Sequence, residues 1–157
     1  MAMKIEEAIK STKFKGERHK VIINILYTAY WLRNHFSIAL KECNITLEQY
    51  NVLRILRGKH PEKMCVKDIG SRIVEKSSNV PRIIDRLVAK DLARRTPSKE
   101  DKRETLVAIT DQGLQLLLQA TTIMDRKRDE IMGVDDEAAH ELNELLEQMR
   151  LPDETDQ

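Results

Sequence analysis

Asn79, Arg82, Asp85 and Arg86 fall at steps of one, three and four along one short stretch, and the charged run Lys99-Glu100-Asp101-Lys102-Arg103 follows soon after it. Amide and guanidinium groups on one helical face suit the base edges of a duplex groove. Asn79 is placed to pair bidentately with adenine, and Arg82 or Arg86 with guanine, each such pair giving about 1–3 kcal/mol of discrimination. Ser77 and Ser78, with the free N–H groups of a helix start, suit a phosphate. This is the chemistry of recognition, and bond-making groups are missing beside it. No Gly-rich phosphate loop, nucleophile elbow or His/carboxylate cluster at catalytic spacing occurs in the sequence, so no enzyme is expected. His19, His35, His60 and His140 are too scattered for a metal site, and no cofactor is expected.

Such groups need a frame. Val80, Ile83, Ile84, Leu87 and Val88 recur at i, i+3, i+4, i+7 and i+8, which predicts a helix over 79–90 with its polar residues on another face. Pro81 fits its first turn if Ser78 is the N-cap, because the N–H that proline lacks has no partner there. The stretch 94–113, RRTPSKEDKRETLVAITDQG, reads as two short strands around a charged tip. Upstream, Thr46-Leu47-Glu48-Gln49 has the capping-box form and opens a helix with Tyr50, Leu53 and Leu56 inward. Met64 and Cys65 are expected to add a very short strand to the hairpin. Val66 to Arg72 is a short helix in which Gly70 suggests the close approach of another helix.

The flanks are helical as well. From Glu17 to Cys43 there is no Gly or Pro, and Val21, Ile25, Ala29, Leu32, Phe36, Ala39 and Cys43 form one stripe, predicting a helix of about seven turns. Its first half is apolar nearly all round, and a second chain is the expected cover. A C-terminal helix carries Leu114, Leu117, Leu118, Thr121, Met124, Arg128 and Ile131 along one side, and Gly133 interrupts it. Beyond Asp135 or Asp136, Ala138, Leu142, Leu145 and Met149 approach a heptad seam, and the acidic tail after Pro152 is expected to fray. The expected fold is mainly α with a small β-hairpin wing. It divides into an arm and long helix (1–45), a winged helix-turn-helix (46–110) and C-terminal helices with an acidic tail (111–157). Val21, Ile25, Leu142, Leu145 and Met149 are the expected dimerisation residues.

Charge distribution agrees with this division. The net charge of +1 hides a middle, 50–110, with 15 Lys/Arg against 8 Asp/Glu, and an end, 111–157, with 4 against 13. A basic middle points to a polyanion, here double-stranded DNA, while the acidic end faces away from it. Charged residues at 34% and aromatics at 4% lean towards helices. Two distant cysteines, Cys43 and Cys65, predict a cytoplasmic protein without disulfides, and core or incidental roles for both thiols. No stretch is apolar and long enough for a membrane span.

Three pieces of this sequence resemble the MarR family of transcriptional regulators, the multiple antibiotic resistance type: ITLEQYNVLRIL for the second helix, VKDIGSRI with SSNVPRIIDRLVAKDLARR for the helix-turn-helix, and DKRETLVAITDQG for the wing and the start of the next helix. The resemblance implies four helices, a β-wing and two more helices, in a homodimer that presents one winged module per subunit. It also implies a repressor of pseudo-palindromic operators, and similar proteins bind small aromatic acids between their dimerisation and DNA-binding parts. Tyr27, Tyr30, Trp31, His35 and Phe36 are the candidate lining of such an effector pocket, although an aromatic cluster at helical spacing is more often packing, here the dimer core.

Within the wing, Arg103 is expected in the minor groove, where a narrow A·T-rich segment concentrates negative potential. Arg94, Arg95, Lys99 and Lys102 are expected on phosphates, with Asp101 orienting a nearby arginine and Asp85 balancing Arg82 or Arg86. The competing readings are that these charges are a solvated surface, or that the winged domain of a helical dimer binds a protein.

Overall fold

The computed structural model describes residues 3–76, 78–101 and 103–150. A one-turn helix α1 (Ile5–Ala8) precedes the long α2 (Glu17–Ala39), which tightens into a 3-10 turn over Leu40–Cys43. The α-helix therefore ends one turn earlier than its apolar stripe suggests. Asn44 closes it in the left-handed region, φ 52°, which turns the chain so that buried Ile45 leads into the next helix. That helix, α3 (Leu47–Arg57), starts on the expected capping box: Thr46 Oγ1 accepts from Gln49 N–H at 3.2 Å, and Gln49 Oε1 accepts from Thr46 N–H at 3.2 Å.

Strand β1 (Met64–Cys65) runs directly into α4 (Val66–Arg72), and α5 (Val80–Ala89) follows. The hairpin is β2 (Ala93–Pro97) and β3 (Thr105–Ile109), with α6 (Asp111–Ile131) and α7 (Asp136–Met149) after it. The three strands form an antiparallel sheet of order β1-β3-β2, with Met64 opposite Val107 and Arg95 opposite the same residue on the other side. The brief strand thus pins the wing to the body.

One apolar core joins the end of α2, α3, α4, α5, the sheet and α6. Leu40, Val52, Leu53, Leu56, Ile69, Ile84, Leu87, Val107 and Leu117 are its largest fully buried side chains. On α6 the inward line is Leu117, Ala120 and Ile123, while Leu118 is 68% exposed, so the stripe lies slightly off the expected one. Gly70 meets α5 only loosely, since a Cβ there would lie 3.7 Å from Val80 Cγ2, ordinary van der Waals contact. Helix α7 buries none of its residues within the chain. Among the described residues no helix is long and apolar enough to cross a membrane.

Candidate nucleic-acid interface

Helix α5 buries Ile84 and Leu87, and half-buries Val80, Ile83 and Val88, as its period requires. This leaves Asn79, Arg82, Asp85 and Arg86 exposed along its outer face. Its N-cap is Asn79, one residue later than the Ser78 expected: Asn79 Oδ1 accepts from Arg82 N–H at 3.2 Å. An amide oxygen serves this role as well as a hydroxyl, and Val80 and Pro81 then occupy the first two helical positions, where no N–H partner is lost. Capping engages one lone pair of the Asn79 oxygen, leaving the other and the amide NH2 free to face a base. Ser78 is half-buried, its N–H bonded to Glu75 O and its carbonyl to Val80 N–H, both at 3.0 Å. Ser77 and Lys102 lie outside the described residues.

The wing is fastened to this helix. Arg95 on β2 forms an ion pair with Asp85 at 2.7 Å and donates to Pro81 O at 3.1 Å. The expected pairing of Asp85 with Arg82 or Arg86 is therefore replaced: Arg95 takes the carboxylate, and its guanidinium spans strand and helix where a phosphate contact was expected. Among the described residues, Arg82 and Arg86 have no carboxylate partner at ion-pair distance. Their charge stays available to an outside anion.

Residues 98–101, 103 and 104 take part in a hydrogen-bonded tip. Buried Ser98 Oγ accepts from the N–H groups of Glu100 and Asp101, both at 3.3 Å, and Ser98 N–H donates to Glu104 O at 2.9 Å. Asp101 acts on backbone instead of on a guanidinium: its Oδ1 accepts from Arg103 N–H at 2.9 Å, an Asx-type turn. This fixes Arg103 at the tip with its side chain exposed, beside exposed Lys99, and Arg94 is exposed on β2. Lys63, not singled out by the sequence pattern, joins the wing by donating to Thr96 Oγ1 at 2.9 Å. Its place immediately before β1 was the available signal, because that strand had to pair with the hairpin.

Away from this face, a cleft of about 330 Å³ separates α2 from the winged module and is lined by Leu32, Arg33, Phe36, Leu47, Ile73 and Glu75, among others. Of the five aromatic-cluster residues only Phe36 reaches it. Tyr30 is 68% exposed, Tyr27 and Trp31 are half-buried, and His35 packs edge-on against Trp31 with ring centroids 4.6 Å apart. Cys43 is buried, which pushes its thiol above the ordinary range. Cys65 caps α4 through Sγ; the Asp68 N–H bond favours its thiolate, but burial and the Asp68 carboxylate outweigh that and raise it as well. Among the described residues no group of three His, Cys, Asp or Glu side chains is arranged to hold a metal ion.

A profile of the MarR family matches residues 45–105, the segment that runs from the capping box through the wing tip. Residues 45–105 thus resemble a MarR-family domain. Proteins of that family are transcriptional regulators and not enzymes. The organic hydroperoxide resistance transcriptional regulator of Bacillus subtilis is 29% identical over 114 residues, 73% of this chain and 74% of that protein. The regulator SarZ of Staphylococcus aureus is 31% identical over 74 residues, 47% of this chain and 49% of SarZ, so that match spans about half of each. The fold of this chain is that of a mutant MarR from E. coli solved with operator DNA, with a TM-score of 0.75 at 22% identity, covering 90% of this chain and 100% of that one.

Proposed function

We propose that this chain is a MarR-type transcriptional regulator, a homodimer that binds pseudo-palindromic double-stranded DNA sequence-specifically and represses transcription by occupying it. The observation that carries the proposal is the Arg95 bridge. By holding β2 against α5 it makes one rigid basic surface, with Arg82 and Arg86 aimed at a major groove and Arg103 at the adjacent minor groove. Two such surfaces about 34 Å apart address successive major grooves on one side of a duplex. Val21 at 43%, Ile22 at 48% and Leu26 at 63% exposure leave α2 with an apolar face that a second copy would cover, and half-buried Ile25 lies in the same stretch.

Relief by a small aromatic ligand is supported by the cleft beside Phe36, whose size falls in the range of ligand sites. Oxidant sensing, suggested by the name of the Bacillus relative, gains no support from the thiols, since both are pushed towards the unreactive protonated form.

Selection of bound fragments from the source genome tests the proposal. The expected product is a two-fold-related pair of half-sites one helical turn apart, and Arg82→Ala should relax preference at one base pair in each half, at a cost of about 1–3 kcal/mol. Enrichment of no sequence over random fragments would oppose it.

A further inference from the structure

Arg33 projects from α2 between two carboxylates that belong to different parts of the winged module. Its Nη1 donates to Glu48 Oε1 at 2.7 Å, in the first turn of α3, and its Nη2 is ion-paired with Glu75, in the segment joining α4 to α5. That segment has few other anchors. Among the described residues between buried Ile73 and half-buried Val80 none is buried, and Val74 is 93% exposed. Glu75 is also where the segment meets the helix start, since its carbonyl accepts from Ser78 N–H, and the Ser78 carbonyl accepts from Val80 N–H, the first residue of α5. The Glu48 hydrogen bond and, against burial, Glu75 push the Arg33 guanidinium up, so it stays charged and committed to this pair.

We propose that Arg33 is a positioning residue for DNA recognition: by tying Glu75 and Glu48 to α2 it sets the direction in which α5 leaves the turn, without itself touching DNA. This rests on the DNA-binding reading above. It also makes a carboxylate useful to the binding of a polyanion. Long-range repulsion alone predicts that neutralising Glu75 tightens DNA binding, whereas positioning predicts that it weakens specific binding.

The test measures affinity of the full chain, and of its Arg33→Gln, Glu75→Gln and doubly substituted variants, for an operator duplex and for a random duplex of the same length across a salt series. Each single variant should lose roughly fivefold on the operator, the scale of a partly exposed ion pair. The double variant should lose no more than Arg33→Gln alone. Random-duplex affinity should not fall for Glu75→Gln, and the salt slope should stay unchanged for Arg33→Gln. Tighter operator binding by Glu75→Gln, an unchanged operator affinity in both single variants, or a shallower salt slope in Arg33→Gln would overturn the proposal, the last by showing direct phosphate contact. If Arg33→Gln loses its cooperative thermal transition, Glu75→Gln, altered at an exposed position, decides alone. A parent chain that binds neither duplex would instead overturn the DNA-binding reading, and this inference with it.

Discussion

Gly113→Ala is expected to destabilise the protein by about 3 kcal/mol, the upper end of what overpacking in a close-packed interior costs. A Cβ at Gly113 would lie 2.2 Å from Leu92 O and 2.8 Å from Ile109 Cγ1. A flexible side-chain end could move aside, but the Leu92 carbonyl cannot. It accepts from Thr110 N–H at 3.2 Å, and Leu92, 3% exposed, is fixed immediately before β2. Gly113 itself is held on the same knot, its N–H bonded to Thr110 Oγ1 at 3.0 Å, while that hydroxyl donates to Asp91 O at 2.6 Å. Helix α6 therefore starts in contact with the chain that enters the wing, and only hydrogen fits between them. Gly133→Ala is the control, because a Cβ there meets nothing within 4 Å. Chemical denaturation of the two variants should show a large loss for the first and near-parental stability for the second; a Gly113→Ala midpoint equal to the parent's would refute this packing.

Leu142→Arg with Leu145→Arg is expected to convert the protein to a monomer at micromolar concentration and to weaken operator binding by roughly a hundredfold or more, since linked half-site binding gains about 10²–10⁴ from effective concentration. Helix α7 gives the reason. It buries no residue within its own chain, yet it exposes Leu142 at 48%, Leu145 at 63% and Met149 at 47% on one seam. Asp135 caps it, its Oδ1 accepting from Ala138 N–H at 2.9 Å, so the helix is specified locally while its apolar side awaits a partner. Placing a guanidinium in that seam would bury an unpaired charge at the interface. Sedimentation velocity reads the outcome directly, and a variant that remains a dimer would show that the seam is not the interface.

Much of this fold was legible because its signals are local. The Thr46–Gln49 box, the period of Val80, Ile84 and Leu87, and the turn formers before Lys99 each act within a few residues, and each gave an element in its expected place. Less legible were contacts between elements. That Arg95 would take Asp85, and that Arg33 would bridge Glu48 and Glu75, depends on how helices and strands pack, and no spacing along the chain encodes it. Serine and asparagine are both good caps, so sequence alone does not separate Ser78 from Asn79, and the structure uses Asn79. The sequence suggests a guanidinium partner for Asp101, because a carboxylate facing phosphates would repel them. In the tip its shortest reach is to a backbone N–H two residues on.

The most direct measurement of the central claim is the affinity for labelled operator duplex as a function of salt. If α5 and the wing grip DNA through Arg82, Arg86, Arg94, Lys99 and Arg103, log affinity should fall linearly with log salt, with a slope of about 0.9 per phosphate neutralised. Arg103→Ala should then make that slope shallower by about one per subunit. A parent chain that shows no salt-sensitive binding to duplex of any sequence would contradict the account and favour a protein partner for the winged domain.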